Sequence, residues 1–345
     1  MAVEDLDLVL ITEASQVRYL AGFTGSNALL LLGHRHADFL TDPRYRTQAG
    51  SEVKVARITV MSGDLFDQLP NLGILKGGRK KIGYESHLMS ERRAQKLRSV
   101  LPQALWVGFD DLVAPLSQLK DPSEVASIEK AARIADQSLA SVLPSIKPGV
   151  RERDIAAELE YKMLMAGSEK VAFETIVASG PRSALPHGRA SMRRIAKGDF
   201  VTIDFGATVD GYISDITRTF VIGNPTPRQK RVYDVVYRAQ GAALRKARSG
   251  VACASLDKTA RAIITRAGHG KRFEHGLGHG IGLAVHEGPA VNAKSKTILK
   301  PGMVITIEPG VYYPGWGGVR IEDDIVIGQH GSRVLTHSER SLVVL

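Results

Sequence analysis

Apolar and polar positions in the first third of the chain change period every few residues. The runs LVLIT (8–12), ALLLL (28–32), VKVARITV (53–60), KIGYE (81–85) and ALWVGF (104–109) are strand-sized. SERRAQKLRSVL (90–101) instead spaces its apolar residues for one face of a helix. Strands and helices in turn predict an α/β domain over residues 1–118. The pattern then lengthens. Asp121, Pro122 and Glu124 stand as N-cap, first-turn proline and capping-box acid. Val125, Ile128, Ala132, Ala135, Leu139 and Val142 follow on one helical face, and Pro144 and Pro148-Gly149 stop it. A second helix is expected over 152–166, a long one over 227–248 behind Thr226, and another over 255–267 ended by Gly268. Strand patterns lie between them. Elements come in clusters and not in strict alternation, which predicts an α+β domain over 119–345, with a mainly antiparallel, curved sheet and helices outside it.

Two hairpin patterns in this second domain carry acids. Residues 199–207 (DFVTIDFGA) and 212–221 (YISDITRTFV) alternate around Asp210-Gly211, a hairpin-turn dipeptide. With that dipeptide as the two-residue turn, 209 pairs with 212 and 206 faces 215. Asp204 shares a face with Gly206, so Asp204 and Asp215 become diagonal neighbours, roughly 7–8 Å apart at the backbone. Two carboxylates there repel, and a cation between them removes the conflict. Residues 302–308 (GMVITIE) and 318–327 (GVRIEDDIVI) repeat the theme, with Glu308 ending one strand and Glu322 on the next, flanked on its face by Arg320 and Asp324. Any one of these acids alone reads as a solvent-facing strand residue. Together with His279, in the string HGLGHGIG, they make four carboxylates and one imidazole in tight contexts. That set suits a pair of divalent metals: oxygen ligands favour Mn²⁺ or Mg²⁺, and the single nitrogen pulls toward Mn²⁺, Co²⁺ or Zn²⁺.

Composition narrows the class without changing this picture. The chain has 345 residues, 43% hydrophobic, with one cysteine and a net charge of +10. One cysteine, Cys253, rules out an intramolecular disulfide, fits a reducing compartment and reads as a small buried residue. The first ten residues lack the basic and apolar regions of a secretory signal, and the longest apolar runs are strand-sized, so a cytoplasmic protein without a membrane span is expected. Basic residues are scattered and only 6% of residues are aromatic, which argues against a nucleic-acid partner. The glycines around His279 match neither GxGxxG nor a Walker pattern, and HExxH is absent. Those glycines are expected to let the backbone pass close to the metals.

The strings IDFG, SDITRT, HGLGHGIGL, HEGP, TIEPG and VRIED resemble the metal-binding set of the pita-bread metallopeptidases, the family of methionine aminopeptidases, prolidases and aminopeptidase P. FTGSNALLLL and TDPRYRTQA resemble the N-terminal domain of creatinases and prolidases, and ALPHGRAS and VHEGP resemble the catalytic-histidine motifs of the proline-specific branch. The resemblance implies a hydrolase with two metals, Mn²⁺ first and Co²⁺ or Zn²⁺ as alternatives. Asp215 and Glu322 would bridge them, Asp204 would complete one, and His279 and Glu308 the other. It implies catalytic roles for His187, His286, Glu308 and Arg320, and a homodimer that cleaves Xaa-Pro dipeptides or short peptides with proline second. From its place two before Glu322, Arg320 reads first as an ion-pair partner holding the metal carboxylates and second as a transition-state contact, and His275 reads as a pocket wall or a support. Many prolidases have an arginine directly after the HExP string; here that position is Ala290, so Arg44 or Arg46 is the candidate for the substrate's carboxylate. The alternatives are an aminopeptidase P acting on longer peptides and, more remotely, a non-catalytic binding protein or a creatinase.

Overall fold

Helices begin where capping chemistry places them in the computed structural model, which describes residues 6–76 and 79–345. The chain divides into two units, Met1–Ser117 and Gln118–Leu345. In the first unit the strands are β1 (Leu8–Ile11), β2 (Ala28–Gly33), β3 (Ala37–Thr41), β4 (Arg57–Val60), β5 (Lys81–Glu85) and β6 (Leu105–Phe109). They form one mixed sheet in the order β4-β3-β2-β1-β5-β6. Helices α1 (Ala14–Ala21) and α2 (Arg46–Glu52) bring Val17, Ala21 and Ala49 against Leu30 and Phe39. Helices α3 (Leu65–Gln68) and α4 (Glu91–Val100) bring Leu65, Phe66 and Leu97 against Leu8 and Leu10. A short helix, α5 (Ala114–Ser117), closes the unit. A sheet with apolar helix contacts on two sets of residues is the α/β arrangement expected. Two local readings differ. Val53 caps α2 and does not start a strand, because its N–H bonds the Ala49 carbonyl. Strand β3 escaped the pattern because Asp38 interrupts its apolar run; Arg57, its cross-strand partner on β4, offsets that charge at 2.6 Å.

The second unit starts with α6 (Pro122–Val142), whose capping box joins Asp121 and Glu124 as the sequence indicates. Next come α7 (Glu152–Met165) and the strands β7 (Ile176–Ser179), β8 (Phe200–Phe205), β9 (Thr208–Val209), β10 (Tyr212–Ile213) and β11 (Ile216–Val221). Helices α8 (Pro227–Lys246) and α9 (Cys253–Arg266) precede β12 (Gly278–Gly280), β13 (Glu287–Val291), β14 (Val304–Ile307), β15 (Gly310–Tyr313), β16 (Gly317–Arg320), β17 (Asp323–Ile327) and β18 (Ser332–Val334). All pairings between these named strands are antiparallel. Strands β11-β8-β7 form one sheet and β13-β12-β14-β17-β18 another. Each has its own helix pair: Leu139, Ile155 and Leu159 pack on Val177, Ile203 and Phe220, while Val236, Leu256 and Ile264 pack on Ile305, Ile307 and Ile325. Each such buried aliphatic contributes about 1.5–3 kcal/mol. The two sheets meet where the Glu322 N–H donates to the Thr217 carbonyl at 3.1 Å and Thr219 bonds the Arg320 backbone.

The Asp210-Gly211 turn sets the register of the first hairpin. Both residues have positive φ, 50° and 81°, as a tight two-residue hairpin turn needs. Val209 pairs with Tyr212, and Asp204 with Thr217, so the one register runs past the break near Gly206 and into the longer strands. A Cβ on Gly206 would lie 1.8 Å from the Ser214 carbonyl oxygen, which leaves glycine alone able to stand there.

One buried acid in the first unit has a pH consequence. Glu85, at the end of β5, is 1% exposed, and neither carboxylate oxygen has a hydrogen-bond partner among the described residues. Burial, with Asp111 and Glu13 adding repulsion, pushes its carboxyl up to about 7. The folded state therefore holds a proton that the unfolded chain gives up at an ordinary carboxyl pKa near 4.3. The associated stability is fully present below that value and is lost as pH rises to about 7, by up to ~3 kcal/mol. Thermal melting at pH 5 and pH 8 should show wild type losing more stability across this interval than Glu85→Gln, with the variant the more stable protein at pH 8. Equal slopes for the two proteins would remove Glu85 as the source.

Candidate metal centre

The acid-bearing strands end or break where their carboxylates converge. Asp204 is the penultimate residue of β8. Asp215 lies in the gap between β10 and β11, Glu308 directly follows β14, and Glu322 lies in the gap between β16 and β17. The single strand read over 318–327 is therefore two strands with a kink at 321–322, and the kink turns Glu322 inward. His279 is the centre of β12. Its flanking glycines have a different reason from the one expected. A Cβ on Gly278 would meet the Thr306 carbonyl oxygen at 2.1 Å, and one on Gly280 the Gly288 oxygen at 2.1 Å. Close approach of β13 and β14 forces glycine on both sides of His279.

Neutral hydroxyls and one guanidinium hold the acids in place. Arg320, 3% exposed, donates from Nη2 to Asp204 Oδ2 at 2.6 Å, from Nε to Thr217 Oγ1 at 2.9 Å, and from Nη1 to both the Tyr312 hydroxyl and the Pro186 carbonyl at 3.0 Å. Thr217 passes its own proton to Glu322 Oε2. Thr306 Oγ1 accepts from the His279 N–H at 3.1 Å and donates to Glu308 Oε1 at 3.2 Å. The Asp215 N–H donates to Asp324 Oδ2 at 2.8 Å. Thr217 was legible in principle, because the hairpin register places it directly across from Asp204; Thr306 shares a strand face with Glu308 two residues on. Tyr312 has no such signal in the sequence.

The electrostatics ask for positive charge. Burial pushes Asp215 well above the usual carboxylate range, and Glu322, Asp204, Asp324 and Glu308 add repulsion. Glu322 is raised in the same way, first by burial and then by Glu308 and Asp204, and burial lifts Glu308 to about 7 against the pull of Arg320. Burial works against the Arg320 charge too, but Tyr312, Asp204 and the neighbouring acids outweigh it and hold its pKa well above the ordinary value. Asp204 Oδ1 and Asp215 Oδ1 are buried without a hydrogen-bond partner among the described residues. One ligand atom each from Asp215, His279 and Glu322 lies within 4.8 Å of the others, and His279 Nε2 is 3.4 Å from Glu308 Oε1 and 3.8 Å from Asp215 Oδ2. Burial lowers the His279 pKa to about 4, and its Nδ1 faces the Gly280 carbonyl at 3.1 Å, so the proton sits on Nδ1 and Nε2 is free as a ligand. Orphaned oxygens, a ligand-ready imidazole and uncompensated acids fit divalent metal.

A cavity of about 580 Å³ opens over these groups. His187 and His286 line it as exposed side chains, and the His286 ring lies 4.3 Å from that of His279. The turn carrying His286 is pinned by Glu287, which bonds buried Lys120 at 2.8 Å and the Ala284 N–H at 3.0 Å. His275 also lines the cavity, but both ring nitrogens are engaged, Nδ1 with the Gly276 carbonyl and Nε2 with the Tyr312 hydroxyl. Burial, with Arg320 adding repulsion, lowers its pKa to about 4. His275 therefore orients Tyr312, which in turn accepts from Arg320. In the first unit, Arg44 makes a two-pronged bond to Asp42 at 2.9 and 2.8 Å, and Arg46 is an exposed residue opening α2. Cys253 is buried. Phe173, Ile176 and Val285 give the cavity apolar wall, and Glu174 and Arg189, also in its lining, form an ion pair at 2.8 Å. These five were not singled out from the sequence, although Arg189 lies two residues after His187 in the ALPHGRAS string.

Comparison with known proteins agrees with this geometry. Residues 126–329 match the model of metallopeptidase family M24, and residues 1–116 match the creatinase/prolidase N-terminal domain. An Xaa-Pro dipeptidase of Pyrococcus horikoshii is 40% identical over 346 residues, covering 99% of this chain and 96% of the relative. The solved Xaa-Pro dipeptidase from Bacillus anthracis superposes with a TM-score of 0.95 at 39% identity, covering 99% of this chain and 95% of that one. The X-Pro aminopeptidase from Thermotoga maritima gives 0.92 at 39% identity, covering 100% and 97%. With a creatinase-type first unit and a pita-bread second unit that carries the acid and imidazole set, the chain belongs to metallopeptidase family M24.

Proposed function

We propose that this chain is an Xaa-Pro dipeptidase that works with two divalent metal ions, Mn²⁺ first and Co²⁺ or Zn²⁺ as alternatives. The observation that carries the reading is the convergence of Asp204, Asp215, His279, Glu308 and Glu322 beneath a cavity whose rim presents two unburied histidines. Bound metals supply Lewis acidity toward the scissile carbonyl and an acidified water. The chain's own residues do the rest. Glu308 takes and returns a proton at its carboxylate. His187 and His286 donate hydrogen bonds to the tetrahedral centre and pass a proton to the proline nitrogen as it leaves. Arg320 keeps Asp204 and, through Thr217, Glu322 in register, which makes it a positioning residue for the ligands. The apolar side chains Phe173, Ile176 and Val285 give a proline ring a dry wall. Proline's amide has no N–H, so a pocket without an acceptor at that point loses nothing by binding it.

A second reading, aminopeptidase P action on longer peptides, is favoured by the likeness to the Thermotoga maritima X-Pro aminopeptidase. A cytoplasmic homodimer belongs to the proposal as well, and light scattering reads its assembly state. Among the described residues no helix is long and apolar enough to cross a membrane.

Replacing either of two proposed ligands, as Asp204→Asn or Glu322→Gln, should abolish metal binding and Ala-Pro hydrolysis together, since each removes a charged ligand. Elemental analysis beside a hydrolysis assay with added Mn²⁺ checks this; cleavage of Ala-Pro in excess chelator would sink the metal mechanism. His187→Ala and His286→Ala should instead lower turnover on the order of 10²-fold or more with metal content intact. Metal lost from either variant would mark that histidine as a ligand.

A further inference from the structure

Among the described residues, two arginines line the cavity described above. Arg320 is buried and bonded to Asp204, Thr217, Tyr312 and Pro186. Arg189 differs: its side chain is 78% exposed and its ion-pair partner, Glu174, is 59% exposed. An ion pair this open to water contributes little to stability and exchanges partners readily. Its backbone, by contrast, is fixed. Arg189 forms a β-bridge with Ile176, and its carbonyl accepts from Arg182 Nη2. Arg182 is itself bonded through Nε to Glu152, a fully buried carboxylate that also accepts from Ser179 and Ser191 on either side of this loop. An exposed guanidinium on a bonded backbone, two residues from His187, is placed to receive an anion.

Resting on the dipeptidase reading, we propose that Arg189 binds the free carboxylate of the substrate's C-terminal residue and so selects dipeptides. The incoming carboxylate takes the place of the Glu174 carboxylate, which is 59% exposed and returns to water, and the planar guanidinium can grip the newcomer with two N–H groups. A longer peptide presents an uncharged amide at that point, and Glu174 keeps Arg189. Ala290 offers no charge after the HEGP string, and Arg44 is held by Asp42, whose side chain is only 8% exposed. In this proposal Arg189 takes the role that the sequence suggested for Arg44 or Arg46.

The test compares Ala-Pro with Ala-Pro-amide on metal-loaded enzyme. For Arg189→Gln, KM for Ala-Pro should rise on the order of 10- to 100-fold, with kcat little changed and the amide unaffected. Arg189→Lys should recover part of the loss, because the charge returns without the fork. Glu174→Gln should lower KM for Ala-Pro, because the competing carboxylate is gone. Arg189 is exposed, so folding is not at stake, and unchanged melting temperature and metal content verify it. An unaltered ratio of kcat/KM for the two peptides in Arg189→Gln, or an equal loss on both, overturns the assignment. Wild type that cleaves neither peptide overturns the dipeptidase reading, and this assignment with it.

Discussion

Four carboxylates share a space too small and too buried for four negative charges. That repulsion is the constraint around which the second unit is built. Burial alone raises Asp215, Glu308 and Glu322, and each then raises its neighbours. One buried arginine, Arg320, offsets part of the charge. The remainder is left for cations, and the buried unpartnered oxygens Asp204 Oδ1 and Asp215 Oδ1 show where the deficit lies. Such a site is not where stability comes from: desolvating charge costs more than pairing returns unless the geometry is excellent. Stability has to come from the two helix-backed sheets, which meet through backbone bonds at Thr217 and Glu322.

Neutral groups then do the positioning, because further charges would make the problem worse. Thr217 accepts from Arg320 and donates to Glu322; Thr306 accepts from the His279 amide and donates to Glu308. A hydroxyl suits this work since it can accept and donate at once. The inner histidines follow the same rule. Burial keeps His275 and His279 uncharged, and neighbouring carbonyls fix where the ring protons sit, so His279 offers Nε2 inward while His275 is spent on Tyr312. His187 and His286 are exposed residues lining the cavity, outside this inner set.

What the sequence revealed depended on how local each signal was. The Asp210-Gly211 turn carries its own backbone requirement, so one dipeptide predicted the register that puts Asp204 opposite Thr217. Capping residues 121–124 likewise announced α6. Kinks are not local in this sense. Residues 318–327 alternate like one strand, and the turn-in at Glu322 is imposed by bonds to Thr217 and Arg218, about a hundred positions earlier in the chain. Strand β3 was hidden because Asp38 depends on Arg57 from another strand. The glycines beside His279 were visible, but their cause, the carbonyls of β13 and β14, was not. Arg189 was overlooked for a related reason: nothing in ALPHGRAS tells that it lines the cavity beside Ile176, its partner in a backbone bridge.

The contrast between the inner and outer arginines bears on how such a fold changes substrate. Arg320 is tied at four points inside a charge cluster, so any change there disturbs two metal-ligand acids at once. Arg189 and Glu174 pair with each other, among the described residues, with both side chains open to water. Altering them costs little stability and leaves the chemistry intact. Solved relatives bearing dipeptidase and aminopeptidase names resemble this chain to the same degree, so overall likeness does not separate the two activities. The distinction must reside in a few side chains that the fold does not need. A rim charge on a rigid backbone meets that requirement, since it can change while the acids beneath it remain fixed.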